Sequence, residues 1–271
     1  MASPACMGWR STRKDVVISV VQLGAVDYAT ATRLQQTLVD LRKQGRITDT
    51  LLLLEHPPVL TLGRNASRKN ITASDEQLKC AGVEIFECDR GGDVTYHGPG
   101  QLVGYPIFDL RDRPKRMGAV DYVRHIEEAL IRTCADYGIA AKRIKGLTGV
   151  WTFEEEEKIA AIGVHISRGV TSHGFALNIF SDLDHFKLIV PCGIADKAVT
   201  SLYKEIKVGP ERALPPIDQV AEAVVRNFGK VFESQILWVD TLDALVGRAV
   251  GVPLQEPAEL KAMHGNDTSP A

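Results

Sequence analysis

Apolar positions along the chain follow two periods, close to two and close to 3.6 residues, and the switches between them mark out the elements. The stretch VVISVVQL at 16–23 reads as a strand. After it Ala31, Leu34, Leu38 and Leu41 recur at helical spacing until Gly45 stops the pattern. TLLLLEH and VLTLG form two strands around Pro57 and Pro58, and Ser74 to Gln77 read S-D-E-Q, a capping box that opens a short helix. VEIFECD leads into a glycine-rich loop, and LVGYPIFDL beyond it reads as a strand. Val120, Val123, Ile126 and Leu130 line one helical face, continued by Cys134 and ended at Gly138. GVWTF and KIAAIGVHI pair as a hairpin across the acidic turn at 154–157, and PPIDQVAEAVVRNFGKVF is a late helix with proline at its start.

Strands and helices alternate without a regular βαβ repeat, and no linker divides the middle of the chain, so one α+β domain over 16–252 is expected. Residues 1–15, of which the first fourteen are basic without an acid, and the polar stretch 253–271 read as frayed extensions. A chain of 271 residues with 45% hydrophobic and 24% charged content can bury one large core. The net charge of -2 argues against a dedicated nucleic-acid binder. No apolar run is long enough to span a bilayer. Five cysteines without C-x-x-C spacing suit a reducing compartment, so the cytoplasm is expected, and the N-x-[ST] triplets at Asn65, Asn70 and Asn266 read as chance.

Residues 90–101, RGGDVTYHGPGQ, pack three glycines between residue 91 and residue 98 and a fourth at 100 around an arginine, a tyrosine and a histidine. Such a loop suggests main-chain N–H groups turned toward something bound. Neither the dinucleotide fingerprint nor a Walker pattern fits, so an organic substrate is favoured over a phosphate. Cys192, in LIVPCGIADK, is the one cysteine set in a punctuated turn, where a thiol can serve as nucleophile if its thiolate is favoured. Cys80, Cys88 and Cys134 are assigned to packing. Lys158 opens KIAAIGVHI and shares the strand face of Ala160, Ile162, Val164 and Ile166. An amine there is kept from water and suits proton transfer, and its cation would favour a nearby thiolate. His97, His165 and His173 with Cys192 match no compact zinc pattern, so no metal is expected, and a histidine remains possible as the base for the thiol.

The run R-G-G-D-V-T-Y-H-G-P-G-Q-L-V-G-Y at 90–105 resembles, position for position, the signature of the lipoyl(octanoyl) transferases. K-I-A-A-I-G at 158, S-H-G-F-A-L-N-I at 172 and P-C-G-I at 191 follow in the order that family carries, and the resemblance spans roughly residues 17–230. It implies a fold like the catalytic domains of biotin and lipoate protein ligases, a mixed sheet flanked by helices. It implies transfer of octanoyl from the phosphopantetheine of acyl carrier protein, with no separate cofactor. The acceptor would be a lysine of the lipoyl domains of 2-oxoacid dehydrogenase complexes or of the glycine cleavage H protein. Cys192 matches the family's acyl-accepting cysteine and Lys158 its partner. Arg90, Gly91, Gly92, Asp93, Val94, Thr95, Tyr96 and His97 match its substrate loop, and Ala161, Ile162, Gly163, Gly174, Phe175 and Ala176 its remaining substrate contacts. His165 departs from the pattern, standing where many members carry arginine. Basic residues Arg64, Arg68, Lys69, Arg113, Lys115 and Arg116 are expected to steer an acidic carrier. The competing expectations are an ATP-dependent ligase of the same fold and a carrier-binding regulator without covalent chemistry.

Overall fold

The computed structural model describes residues 16–113, 116–191, 197–206 and 214–250, with the side chains of 247–250 left aside. The two extensions expected at 1–15 and beyond 253 therefore lie outside the described residues, and so does Cys192.

Eleven strands and six α-helices occur among the described residues. In chain order they are β1 (Val17–Ala25), α1 (Tyr28–Lys43), β2 (Asp49–Glu55), β3 (Val59–Leu62), α2 (Asp75–Cys80), β4 (Glu84–Glu87), β5 (Val94–His97) and β6 (Gln101–Ile107). Then follow α3 (Ala119–Asp136), β7 (Ala141–Ile144), β8 (Leu147–Thr152), β9 (Lys158–Ser167), β10 (Val170–Asn178), α4 (Leu202–Glu205), α5 (Ile217–Val231), β11 (Gln235–Trp238) and α6 (Leu242–Val250).

Helix boundaries follow their capping chemistry. Asp27 accepts from Thr30 N at 2.9 Å to start α1, and at its end Gly45, at φ 68°, lets Arg46 N reach Leu41 O at 2.9 Å. Gly138, at φ 79°, closes α3 in the same way, with Ile139 N on Cys134 O at 3.0 Å. The Ser74–Gln77 capping box forms as the sequence expects. The α3 stripe departs from its expected line, because Val120 is exposed in the first turn. Its buried face runs instead through Tyr122, Ile126, Ala129, Leu130, Thr133 and Cys134.

A mixed sheet of eight strands has the order β11-β1-β2-β6-β10-β9-β8-β7, parallel across β11-β1-β2 and antiparallel elsewhere. The expected hairpin is β8–β9, whereas β7, β10 and β11 were not anticipated as strands. One face of the sheet packs Val20, Leu51 and Phe175 with Ile126, Leu130, Val224 and Phe228 of α3 and α5. The other packs Val21, Leu52 and Ala176 with Leu34 and Leu38 of α1 and Leu242 and Leu245 of α6. A second sheet, β4-β3-β5, has its own small core.

The turn between α1 and the large sheet is clasped by Asp49, which meets Arg42 Nε at 2.9 Å and Arg113 at 2.6 Å and accepts from Asp109 N at 2.9 Å. All three charged side chains are buried, and the Arg113 guanidinium also lies over the Phe108 and Phe232 rings. Asp49→Ala would leave two buried cations without their shared anion and should cost about 3–5 kcal/mol, read as a lowered urea midpoint.

Candidate active site

The glycine-rich stretch expected to be a loop is half strand. Val94–His97 form β5, antiparallel to β3 with Leu60 opposite Tyr96 and Thr61 opposite Thr95. Alternation along β5 then sends Thr95 and His97 toward a cleft, while Val94 and Tyr96 enter the core of the small sheet with Leu60, Phe186 and Ile189. The cleft encloses about 460 Å³, a figure that takes in its open mouth. Arg90, Gly91, Gly92 and Asp93 line one side, and Ala161, Ile162, Gly163, Gly174, Phe175 and Ala176 line the other. Thus twelve of the fourteen residues matched to substrate contacts converge on one cavity; Val94 and Tyr96 do not.

The glycines do a different job from the one expected. Gly91 N donates to Val164 O at 2.9 Å, so this amide holds β9 and not a ligand. A Cβ on Gly163 would stand 2.9 Å from Gly91 O and 3.1 Å from Arg90 Cδ, and one on Gly63 would stand 2.5 Å from Gly92 O. The space freed by these hydrogens is filled by backbone, which brings loop and sheet into contact and forms the cleft beside them. Gly92 has φ 91°, open to glycine at little cost.

Arg90 is buried, and its guanidinium donates to Thr61 Oγ1 at 2.9 and 3.2 Å, to Thr61 O at 2.6 Å and to Gly91 O at 3.1 Å. Thr61 in turn faces His97 Nε2 at 3.4 Å, and His97 Nδ1 donates to Gln101 Oε1 at 2.7 Å. Gln101 donates to Asn178 Oδ1 at 2.9 Å, and Asn178 to Thr200 O at 2.9 Å. Burial, with His56 close by, holds His97 well below the usual imidazole range, so it is neutral here.

Four cleft or near-cleft residues escaped the sequence reading as site groups: Tyr28, His56, Tyr105 and His173. His56 donates from Nδ1 to Val26 O at 2.6 Å and accepts from the Tyr105 hydroxyl at 2.7 Å. Burial lowers its pKa from 6.5 to about 4 and pushes the Tyr28 and Tyr105 hydroxyls up. His173, at φ 54°, donates from Nε2 to Asp89 at 2.7 Å. Burial draws His173 down against the pull of Asp89; burial also raises Asp89, but the hydrogen bond and charge of His173 outweigh it and hold the carboxyl low. Tyr28 had been hidden in a helix start, and His173 could be read only as a zinc candidate. Among the described residues no group of three or more His, Cys, Asp or Glu is placed to hold a metal ion.

Lys158 is buried but does not line the cleft; it heads the strand that walls it. A bulge between Val150 and Trp151 sets Trp151 opposite Lys158, and the Lys158 Nζ lies 4.6 Å from the Trp151 ring centroid. Gly149, at φ 128°, lets this backbone pass Ala160 O, where a Cβ would stand at 2.8 Å. Lys158 N donates to Ala198 O at 2.8 Å, and Thr200 N to Lys158 O at 2.9 Å. On the other side Val190 N donates to Asn70 O at 2.7 Å.

Gly163→Ala should force the loop off β9 and cost about 1–3 kcal/mol, read by chemical denaturation. His56 binds its proton less readily folded than unfolded, so its contribution is full above 6.5 and lost as pH falls toward about 4. The urea midpoint should therefore drop across that window, and His56→Gln should flatten the drop.

Residues 27–229 match the lipoyl protein ligase A/B catalytic domain. The chain is 59% identical over 252 residues to an octanoyltransferase of Koribacter versatilis, covering 93% of this chain and 98% of that one. It is 59% identical over 235 residues to an octanoyltransferase of Acidobacterium capsulatum, covering 83% and 94%. In fold it superposes on a bi-partite lipoate protein ligase of Thermoplasma acidophilum with a TM-score of 0.67, at 16% identity and with 93% of each chain covered. The fold is that of lipoate protein ligases, and the chain belongs to the octanoyltransferases, acyltransferases of protein lipoylation, within the lipoyl protein ligase A/B catalytic domain family.

Proposed function

We propose that this enzyme takes octanoyl from the phosphopantetheine thioester of acyl carrier protein onto Cys192 and passes it to a lysine of a lipoyl domain. Lipoyl domains of 2-oxoacid dehydrogenase complexes and the glycine cleavage H protein have the acceptor chemistry. The observation that carries the reading is the placement of Lys158. Its amine is held on Trp151, and its backbone is paired with Ala198 and Thr200, just past Cys192 in the chain. The chain before Cys192 is tied down at Asn70 through Val190.

In the first half-reaction the Cys192 thiolate attacks the thioester carbonyl, the carbon–sulfur bond to phosphopantetheine breaks, and the departing thiolate takes a proton from Lys158. One thioester replaces another, so no separate activation of the acid is required. In the second, the neutral amine of the acceptor lysine attacks acyl-Cys192, the bond to Cys192 breaks, and the amine's proton passes to Lys158 as the amide forms. The cleft beside β9 and β10 takes the alkyl chain against Ile162, Phe175 and Ala176.

The expected steering surface narrows. Arg113 is committed to Asp49, and Lys115 lies outside the described residues. Arg64, Arg68 and Lys69 are exposed on the segment after β3, which is tied to the substrate loop through Arg64 N on Arg90 O at 3.0 Å and Asn65 N on Gly92 O at 3.1 Å. An acidic carrier drawn to these cations arrives at the mouth of the cleft. The cytoplasm suits this exchange, and among the described residues no helix is long and apolar enough to cross a membrane.

Mixing the protein with octanoyl carrier protein, without ATP or acceptor, should add one octanoyl group by intact mass, labile to hydroxylamine and absent in Cys192→Ser. A lipoyl domain should then clear the adduct and gain the acyl group. A protein that stays bare until ATP and free octanoate are supplied is a ligase, and one that binds carrier without an adduct is a regulator. Lys158→Ala should slow both half-reactions by about 10²-fold or more and move iodoacetamide alkylation of Cys192 to higher pH. An unmoved alkylation profile removes Lys158 from the pairing.

A further inference from the structure

We propose that His173, clamped by Asp89, is the stop that sets how long an acyl chain the cleft accepts. The inference rests on the reading above for the direction in which the chain lies, and on the strand register for what stands at its far end. β9 and β10 pair Ala160 with Leu177, Ala161 with Ala176, Gly163 with Gly174 and Val164 with His173. Lys158 therefore lies beyond one end of the cleft-lining stretch and His173 at the other. The three steps from Ala161, opposite Ala176, to Val164, opposite His173, amount to ~10 Å of strand along the cleft. With the carbonyl reacting at the Lys158 end, the methyl end of the chain points toward His173.

His173 is suited to be a wall because it has little freedom to move. Its backbone is at φ 54°, a conformation that side chains rarely adopt, and its N–H donates to Gln35 Oε1 of α1 at 2.7 Å. Its ring is held by Asp89 at 2.7 Å and meets the Tyr105 ring edge-on at 6.3 Å between centroids. Asp89 is itself braced from β9, with His165 Nε2 at 3.6 Å. The ring is also the wrong surface for more hydrocarbon. Its Nδ1 is buried without a hydrogen-bond partner, so the ring offers further methylenes a polar edge in place of apolar contact. Chain length is thus limited by a polar, doubly braced side chain lining the cleft.

The test uses two readouts. Rates of transfer to a lipoyl domain are measured from carriers bearing six-, eight-, ten- and twelve-carbon acyl groups, and thermal shifts are measured with the matching free fatty acids. The wild type should break sharply beyond one length in both series. His173→Gly removes the ring and suits the positive φ; His173→Asn shortens it and also tolerates that conformation. Either should raise the ratio of the twelve-carbon to the eight-carbon rate about tenfold or more, as expected when two or more further methylenes find apolar burial. Asp89→Asn should raise it less. A folded variant that keeps the wild-type ratio overturns the proposal, and so does a wild type whose two series show no break. The fatty-acid series reads the stop without any transfer, so a protein that shows the length break but moves no acyl group refutes the proposed reaction and leaves the stop standing.

Discussion

The close passage of the segment 90–92 across β9 is the constraint on which the site depends. Two sheets with separate cores could pack in many ways, but the hydrogen bond from Gly91 to Val164 O, with Gly63, Gly91 and Gly163 each set against a carbonyl oxygen, fixes one. Backbone approaches of this kind are available only where no Cβ intervenes. Because the contact is made at one edge, the surfaces beyond it splay apart, and the cleft is the space they leave. Arg90 reinforces the joint: its donors are spent on Thr61 and Gly91, which locks β3 to the loop and keeps a buried cation hydrogen-bonded.

From that joint a single line of hydrogen bonds runs across the molecule. Thr61, His97, Gln101 and Asn178 lead from Arg90 to Thr200, whose N–H meets Lys158. Buried polar groups so connected favour one arrangement strongly, since any member left unpaired is costly in a medium of low polarity. His97 serves this line as a neutral ring with both nitrogens engaged, which accounts for a histidine inside the glycine-rich run better than a role as metal ligand or general base. The geometry of the apolar cleft and that of the lysine are therefore set by the same network.

Much of this was legible in the residues, and the parts that were not share a cause. Caps and stops are local chemistry, so the Ser74 box and the glycines at 45 and 138 read correctly. Lys158 is buried, as its place on an apolar strand suggested, but Ile159 and Ala160 beside it are buried as well, so both sheet faces are covered there and alternation alone does not account for it. β10 and β11 escaped because their membership depends on neighbours far along the chain, β6 and β9 for one and β1 for the other. Val120 departs from its expected burial for a similar reason: the 3.6-residue period fixes a stripe's direction but not how far along the helix it stays covered. The 90–101 run was read as all loop because glycine density hides the four-residue alternation of β5, whose even members face the small core and odd members the cleft.

The glycines carry the broader lesson about reading function from composition. Their density suggested amides offered to a ligand, and a ligand-shaped space is what they produce, but by another route. At Gly63, Gly91 and Gly163 the room is taken up by carbonyl oxygens, and at Gly98 and Gly100 by Tyr96 and Phe180, while the walls of the resulting cleft come from residues 90–93, β5, β6, β9, β10 and the start of α1. A slot built this way gains its shape from sheet register and from a loop hydrogen-bonded to it, so the surfaces that meet a flexible hydrocarbon are fixed before it arrives. Little ordering is then left to the protein at binding, and discrimination between ligands falls to the side chains at the ends of the slot.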